Sequence, residues 1–407
     1  MARLTRWQFG RKSPARERPH IVYVIHPLTA RFALRGQFAS LREQGFDVTI
    51  IGVPGEDLEA LERDERVNII PVDVPREIEP LRDLRAFFRI LTILRRLNPD
   101  VVHGGNPKTA LLGLCCAWLL RVPVRIYTLH GLRLETTRGL KRAVLALSER
   151  AIAACAHEVL CVSPSLRDRY RELGLAPDDK LKVLLRGSAN GVRAERYERS
   201  ADRARTVRGR LGIGERDAVI GCVGRFTRDK GITELVDAYD IVRARKSSAC
   251  LLLIGDFEAG DPIPDRLRRR IDEDPQIVYT GWVEEIAPYY SAMDVLAFPT
   301  HREGFGMSAI EAGAAELPVV GYQVTGLVDA VVDGSTGTLV ARGDVTALAE
   351  ALLLYLLDDD LRRRHGEAGR KRASAFFSSE EIWRRLGMEY HALLAKVGQP
   401  GSAGSDS

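Results

Sequence analysis

The stretch FPTHREGFGMSAIEAGAAELPVV occupies residues 298–320 and decides the interpretation of the whole chain. An apolar strand over residues 295–298 leads into a loop at 299–306, and a helix is predicted to start near Met307 and to end before Pro318. A second apolar strand follows at once. Open α/β sheets bind ligands where strand carboxyl ends meet helix amino termini, because free N–H groups and the helix dipole converge there. The stretch therefore predicts an α/β sheet with a ligand site at this loop.

The side chains of the loop and helix indicate which ligand the site takes. Gly304 and Gly306 allow the backbone to approach a ligand closely, and a diphosphate suits the helix N-terminus. Glu303 lies on the loop, and Glu311 is expected about two turns into the helix, where a carboxylate can accept hydrogen bonds from a sugar diol. These residues predict a nucleoside-diphosphate site. The alternative is that both glutamates lie on a solvated helix face, where glutamate is commonly found.

Seven residues, which begin with Gly-Phe-Gly, lie between Glu303 and Glu311. This pattern resembles the Glu–seven–Glu signature of retaining family-4 glycosyltransferases of the GT-B fold, over about residues 20–396. The resemblance implies two doubly wound Rossmann-like domains facing a cleft, with Glu311 on the ribose hydroxyls and Glu303 orienting the donor sugar. It also implies backbone contacts to the donor from Gly304, Phe305, Gly306 and Met307.

Length and composition agree with a two-domain protein that binds an anion. The chain has 407 residues, with 45% hydrophobic and 28% charged residues and a formal net charge of +5. A chain of this length is larger than a single hydrophobic core usually supports, so two domains are expected. The positive net charge favours an anionic partner such as a nucleotide sugar. The sequence has no basic run with interleaved aromatic residues, so nucleic-acid binding is not predicted. The cysteines and histidines lack metal-ligand spacing, so we expect reduced cysteines, no metal and no cofactor.

Alternating strands and helices occur twice along the chain, which predicts two parallel sheets with helices on both faces. The predicted organisation is a basic tail at 1–19, an acceptor-side domain at 20–190 and a linker at 191–216. A nucleotide-sugar domain is expected at 217–375, followed by a terminal helix at 376–396 and a low-complexity tail at 397–407. The resemblance implies that the terminal helix returns to the first domain.

A basic turn, GRFTRDKG at residues 224–231, follows the first strand of the second domain. A departing nucleoside diphosphate gains negative charge, so fixed cations beside it lower the barrier. Arginine offers a bidentate fork and lysine a point charge. Similar glycosyltransferases place the matching residues, Arg225 and Lys230, on the diphosphate. The alternative is an exposed basic turn without function.

Three further strand-end loops complete the predicted site. His130, in TLHG at residues 128–131, matches a family histidine that faces the donor sugar; the alternative is a capping or core histidine, and His103 is a weaker candidate of the same kind. The first loop lacks the glycine pair of many relatives and offers only Gly36 to a phosphate. Backbone groups of Gly281 and Val283 are placed to contact the base, for which the resemblance favours uridine.

The acceptor is expected to be lipid-linked. A helix over residues 82–97 carries Arg85, Arg89, Arg95 and Arg96 among apolar residues, and such a helix either lies on anionic lipid or packs its apolar stripe on the sheet. Segments at 128–136 and 187–192 resemble relatives that extend polyprenyl-diphosphate-linked sugars for surface polysaccharides or glycoproteins. We therefore expect a cytoplasmic enzyme that associates peripherally with the inner face of the plasma membrane. The alternatives are a sugar-nucleotide epimerase of the same shape and a non-catalytic nucleotide-binding module.

Overall fold

The computed structural model of the protein describes residues 17–26, 34–75, 79–258 and 261–398. The predicted tails therefore lie largely outside the described residues, as does most of the first strand–helix loop. In the described part of the chain, no helix has the length and apolar character needed to cross a bilayer.

In the described part of the chain, the first sheet has seven strands. They are β1 (His20–Val24), β2 (Asp47–Gly52), β3 (Asn68–Pro71), β4 (Val101–Gly104), β5 (Val124–Leu129), β6 (Glu158–Cys161) and β7 (Leu181–Lys182). The helices between them are α1 (Gln37–Glu43), α2 (Glu56–Glu65), α3 (Pro80–Leu97), α4 (Pro107–Leu119), α5 (Gly139–Cys155) and α6 (Pro164–Glu172). The strand order is β3-β2-β1-β4-β5-β6-β7.

The second sheet has six strands, all paired in parallel. They are β8 (Ala218–Val223), β9 (Ala249–Ile254), β10 (Ile277–Tyr279), β11 (Val295–Phe298), β12 (Val319–Tyr322) and β13 (Gly337–Val340). The helices are α7 (Ala201–Leu211), α8 (Ile232–Arg245), α9 (Asp265–Glu273), α10 (Ala287–Ser291), α11 (Met307–Ala314), α12 (Leu327–Ala330), α13 (Val345–Leu357), α14 (Asp359–Phe376) and α15 (Ser379–Gly398). The strand order is β10-β9-β8-β11-β12-β13.

Both sheets have the doubly wound order, in which the chain starts at a central strand, moves to one edge and then returns to the other side. Strands buried on both faces are expected to be continuous apolar runs, and β9 is buried at every position. The predicted α/β class with two doubly wound sheets is confirmed.

By compactness the chain divides into two units. One is made of Met1–Tyr127, Ala154–His157 and Gly387–Ser407, and the other of Thr128–Ala153 and Glu158–Leu386. The domain boundaries inferred from the sequence stay a prediction.

In the first unit, His103 belongs to a buried aromatic cluster. Its ring stacks on Tyr23 with the centroids 4.6 Å apart, and its Nδ1 lies 2.6 Å from the hydroxyl of Tyr390. His103 is only 2% exposed. These contacts give His103 a structural role in the core of this unit.

Helix α1 begins at Gln37. Gly36 precedes the helix with a φ of 85°, and its N–H donates to the carboxylate of Glu65. The other oxygen of that carboxylate accepts from the N–H of Ala39 at 3.0 Å. A carboxylate from α2 therefore occupies the N-terminus of α1. A phosphate contacting the Gly36 amide would have to displace it, and the predicted donor contact of Gly36 stays a prediction.

Candidate active site

The candidate site lies in the second unit, at the carboxyl ends of β8 and β11. These strands are neighbours in the sheet, although β9 and β10 come between them in the chain. Ligands of open α/β sheets bind at such a reversal of strand order, because the loops after the two strands diverge and leave a crevice. The loop after β8 carries Arg225 and Lys230, and the loop after β11 carries Glu303.

Helix α11 points its N-terminus into this region. Gly306 precedes the helix in the left-handed conformation, with φ 95° and ψ 62°, which a residue with a side chain adopts only at a cost. No side chain caps this end, and no acidic residue stands in the first turn. The positive end of the helix dipole is thus free of any anion from its own first turn.

Glutamate 311 lies closer to the helix start than the sequence indicated. Because α11 begins at Met307, Glu311 is its fifth residue, just over one turn into the helix rather than two. The count of two turns started from Glu303, which lies in the loop at residues 299–306 and not in the helix. The predicted order of strand, loop and helix is otherwise observed.

Gly304 is required by a close approach between backbones. A Cβ at this position would lie 1.9 Å from the carbonyl oxygen of His130. The carbonyl of Gly304 also accepts a hydrogen bond of 2.7 Å from the hydroxyl of Ser163, which caps helix α6. The loop after β11 is therefore held against the ends of β5 and β6, which brings His130 next to the residue that follows Glu303.

His130 presents an unused ring nitrogen. Its Nε2 is buried and has no hydrogen-bond partner among the described residues. Burial lowers the pKa of the ring to about 4, so the imidazole is neutral at physiological pH. Buried polar atoms without partners are rare in folded proteins. A neutral imidazole in this position can bind a hydroxyl group of a ligand, but it does not supply a fixed positive charge.

Lys230 and Glu303 form an ion pair. The Nζ of Lys230 lies 2.5 Å from a carboxylate oxygen of Glu303, and the two side chains are only 21% and 18% exposed. Lys230 ends a short 3-10 turn, Arg228–Lys230. Gly231 follows it with a φ of 68°, and a Cβ there would lie 1.9 Å from the carbonyl oxygen of Pro299. This glycine allows the turn after β8 to touch the loop after β11, which brings the lysine to the glutamate.

A second ion pair, which the sequence analysis missed, supports the same two loops. Arg302 donates to the carboxylate of Asp229, and Thr227 donates to the other oxygen at 2.5 Å. Burial alone would raise the pKa of Asp229, but the Thr227 hydrogen bond and the charges of Arg302 and Lys230 outweigh it and lower the pKa. Both residues lie beside predicted ones, in TRDKG and HREG, and that proximity was the signal available in the sequence.

Arg225 is placed differently from Lys230. Its side chain is 58% exposed and pairs with Glu258 after β9. It shares the strand end with Lys230, but the structure does not bring it into the pair with Glu303. The two predicted cations are therefore not equivalent in this conformation.

Glu311 is partly buried beside two tyrosines. Tyr290 places its hydroxyl 3.0 Å from Oε2 of Glu311, and Tyr197 also forms a hydrogen bond to this carboxyl group. Burial raises the pKa of Glu311 to about 7, although both hydrogen bonds lower it. With these hydrogen bonds, the carboxyl group of Glu311 is not on a fully solvated helix face. Tyr197 and Tyr290 had no signal in the sequence, since neither lies in a motif.

The loop after β10 is tied to the loop after β9. The carbonyl of Gly281 accepts from the N–H of Gly255 at 3.0 Å, and Asp256 accepts from the N–H of Trp282 at 3.2 Å. Gly281 has a φ of 71°. Val283 follows on the same loop, and the base contact expected of Gly281 and Val283 stays a prediction.

Within the described ranges, no group of three or more His, Cys, Asp or Glu side chains is arranged to hold a metal ion. The expectation that the enzyme needs no metal stays a prediction.

Comparison with known proteins decides the family. Residues 30–187 match the glycosyl transferase 4-like domain, and residues 217–359 match the glycosyl transferases group 1 family. The capsular polysaccharide biosynthesis glycosyltransferase CapM of Staphylococcus aureus is 36% identical over 361 residues, which are 89% of this chain and 94% of that protein.

The chain belongs to the group 1 glycosyltransferases.

A second relative of this glycosyltransferase is the UDP-Gal:alpha-D-GlcNAc-diphosphoundecaprenol alpha-1,3-galactosyltransferase of Escherichia coli. It is 24% identical over 322 residues, which are 78% of this chain and 82% of that protein. The structure of HepE from Anabaena in complex with UDP and glucose superimposes with a TM-score of 0.75 at 18% identity, covering 91% of this chain and 99% of that one. This likeness shows the fold, which is that of GT-B glycosyltransferases.

The family assignment also selects among the three classes that the sequence left open. The enzyme is a glycosyltransferase, as the Glu–seven–Glu loop indicated, rather than an epimerase or a non-catalytic module.

Proposed function

We propose that this glycosyltransferase moves a hexose or N-acetylhexosamine from a UDP-sugar to a hydroxyl group of a lipid-linked saccharide, with retention of configuration. The observation that carries the proposal is the Lys230–Glu303 pair at the reversal of strand order, together with the N-terminus of α11 and the partly buried carboxyl group of Glu311. The names of two relatives support the donor, the lipid-linked acceptor and a role in polysaccharide synthesis, since one uses UDP-Gal with a diphosphoundecaprenol saccharide and the other makes capsular polysaccharide.

The proposed donor site has three parts. Lys230 and the backbone amides at the start of α11 bind the diphosphate. The lysine is a cation, the amides form the positive end of the helix dipole, and both lie where the strand order reverses. Glu303 accepts hydrogen bonds from the donor sugar once the diphosphate engages Lys230. Glu311 accepts hydrogen bonds from the ribose hydroxyls. Arg225, which is exposed, is free to turn from Glu258 to the diphosphate.

The proposed reaction breaks the bond between the anomeric carbon and the β-phosphate oxygen, and the electron pair leaves with UDP. The acceptor hydroxyl forms its bond on the same face of the anomeric carbon, and its proton passes to the departing phosphate oxygen. Fixed positive charge stabilises the leaving diphosphate, which is usually the largest contribution to such a step. Neutral His130 hydrogen-bonds a hydroxyl group of the donor sugar through its free Nε2.

The first test compares nucleotides by thermal denaturation. A ligand that binds only the folded state stabilises it by about 2.7 kcal/mol at a hundredfold excess over its Kd. We expect UDP and UDP-sugars to raise the melting temperature by a few degrees, and GDP, ADP and NAD to raise it less. A shift with NAD and with no nucleoside diphosphate would overturn the donor assignment, and a shift with GDP alone would reject uridine.

Turnover is then followed as release of UDP from the UDP-sugar that binds best. We expect release to rise when undecaprenyl-diphosphate N-acetylglucosamine is added in detergent, and to continue in EDTA. Equal release with and without this acceptor contradicts the proposed transfer. Loss in EDTA with recovery on Mg²⁺ or Mn²⁺ contradicts the expected metal independence.

A membrane-facing surface would give the enzyme access to such an acceptor, and α3 has the required character. Three apolar side chains of this helix, Leu81, Leu84 and Phe88, are 77%, 54% and 56% exposed, and Arg85 and Arg89 are exposed among them. The opposite side of the helix is buried through Ala86, Ile90 and Leu94. One apolar stripe of α3 therefore packs inward, as one of the two alternatives predicted. A second stripe, which has both apolar and basic side chains, faces outward. This stripe suits an anionic bilayer and supports a peripheral location at the cytoplasmic face of the plasma membrane.

Vesicle binding tests this surface. One arginine near an anionic surface contributes about 1 kcal/mol, so replacing Arg85 and Arg89 by alanine is expected to lower binding more than about tenfold. The assay is cosedimentation with phosphatidylglycerol vesicles, where raised salt should also weaken binding because it screens the charges. Arg205→Ala is the matched control, since Arg205 is an exposed helical arginine of α7. Equal recovery of wild type with anionic and neutral vesicles at low salt contradicts a membrane role for α3.

A further inference from the structure

Two tyrosines from different elements converge on the carboxyl group of Glu311. Tyr290 lies in α10 and is fully buried, and its hydroxyl is 3.0 Å from Oε2 of Glu311 and 3.3 Å from the carbonyl oxygen of Ser308. Tyr197 ends a 3-10 turn, Ala194–Tyr197, and bonds to the same carboxyl group. The two rings are 5.8 Å apart. Neither tyrosine belongs to a motif that predicts donor binding.

The position of the Tyr290 hydroxyl suits both protonation states of Glu311. When Glu311 is ionised, the single hydroxyl proton of Tyr290 is donated to the carboxylate. When Glu311 is protonated, the carboxyl group can donate to the tyrosine oxygen, and the tyrosine proton is then donated to the carbonyl of Ser308. The carboxyl group therefore keeps its place whether or not it is charged.

The effects of neighbouring charged groups on the pKa of Glu311 largely cancel. Arg196 lowers its pKa and Glu285 raises it, and these two residues bond to each other at 2.9 Å. Among the other elements against α11, Arg370 of α14 bonds to the far end of the helix, and Asp329 of α12 bonds to Ser165. Burial is the remaining effect. It raises the pKa of Glu311 more than the hydrogen bonds from the two tyrosines lower it, and the resulting pKa is about 7.

We propose that Tyr197 and Tyr290 are positioning residues that hold the Glu311 carboxyl group for the ribose of the donor, and that nucleotide binding releases the Glu311 proton to solvent. The proposal rests on the ribose contact of Glu311 in the proposed function. Both ribose hydroxyls can donate to a carboxylate, whereas a protonated carboxyl has one acceptor site fewer and a proton in the way. Binding of the diol therefore favours the ionised form.

The consequence is a donor affinity that rises with pH. With a pKa of about 7 in the free enzyme, only the ionised fraction binds well. The apparent Kd at pH 6 is then expected to be about tenfold weaker than at pH 8. A UDP-sugar is the suitable probe, because its diphosphate does not titrate between these pH values.

The experiment is isothermal titration of wild-type enzyme with UDP-glucose from pH 5.5 to 8.5, in two buffers of different ionisation enthalpy. At pH 7 the heat should differ between buffers by the release of about half a proton per site, since the group is half ionised when the pH equals its pKa. A flat pH profile with no buffer dependence overturns the proton coupling.

Tyr197→Phe and Tyr290→Phe then test the tyrosines. Each removes a hydrogen bond to the charged form, so the midpoint of the pH profile should move upward by about one unit, with much of the affinity recovered at pH 8.5. Tyr355→Phe is the matched control, a buried tyrosine of α13 that bonds to Thr338 and His365. Tyr197 is partly exposed, so its variant keeps the test decisive if Tyr290→Phe does not fold.

The outcomes separate the two proposals. If Glu311→Gln binds UDP-glucose as tightly as wild type does at pH 8, the ribose contact of the proposed function fails. If that variant loses affinity but the tyrosine variants keep the wild-type midpoint, the ribose contact stands and the positioning role of the tyrosines is wrong. A uniform loss of affinity at all pH values in the tyrosine variants also contradicts the positioning role, because a purely structural defect would act in that way.

Discussion

Lys230→Ala is expected to lower kcat by about 100-fold or more, since losing one fixed contact to charge that develops in the transition state costs this much in other enzymes. Lys230 is the cation that the structure places beside Glu303, with both side chains mostly buried. Its removal takes away positive charge where the diphosphate is proposed to depart. The measurement is steady-state turnover of the UDP-sugar, with UDP binding measured separately.

Two neighbouring residues provide the comparison for Lys230. Arg228→Ala removes an exposed cation of the same turn, one that donates to the carbonyl of Pro262, and is expected to leave kcat within about twofold because surface changes of this kind usually have small effects. Arg225→Ala is expected to lower turnover as well, but less than Lys230→Ala, because Arg225 must first leave Glu258. Turnover near wild type in a folded Lys230→Ala enzyme would mean that the diphosphate lies elsewhere.

Glu311→Ala has the second largest expected effect. A hydrogen bond to a charged group contributes about 1.5–3 kcal/mol, so UDP should bind roughly 10- to 150-fold more weakly. Isothermal titration at pH 8 measures this loss with Glu311 ionised in the wild type. The matched control is Glu367→Ala, which removes an exposed glutamate of α14 and should not change UDP affinity.

The folded state of the Glu311 variants is checked through the pH dependence of stability. The pKa of Glu311 is raised in the folded state from 4.5 to about 7, so the folded protein binds the proton more tightly than the unfolded chain does. Stability from this group is complete below pH 4.5 and is lost as the pH rises through 7. Glu311→Gln should therefore gain thermal stability relative to wild type between pH 6 and pH 8. Unchanged UDP affinity in a variant that shows this gain would end the ribose assignment.

The elements of the fold could be predicted from the sequence because their signals are local. Continuous apolar runs predicted β8, β9, β11 and β12, and glycines or prolines marked where each strand or helix ends. Strand β7 was missed because its two residues, Leu181 and Lys182, are only partly buried and form no apolar run.

The sequence by itself also predicted which loops form the proposed site. Glycines and charged residues at strand ends identified the loops of Lys230 and Glu303, and the seven-residue spacing identified the family. It could not show that Lys230 pairs with Glu303 across 73 residues, or that Tyr290 holds Glu311 across 21. Those pairings depend on β8 lying beside β11 in the sheet and on α10 packing near α11, and no local periodicity encodes either neighbour. Only the tertiary structure brings these side chains into contact, and the burial that results is what raises the pKa of Glu311.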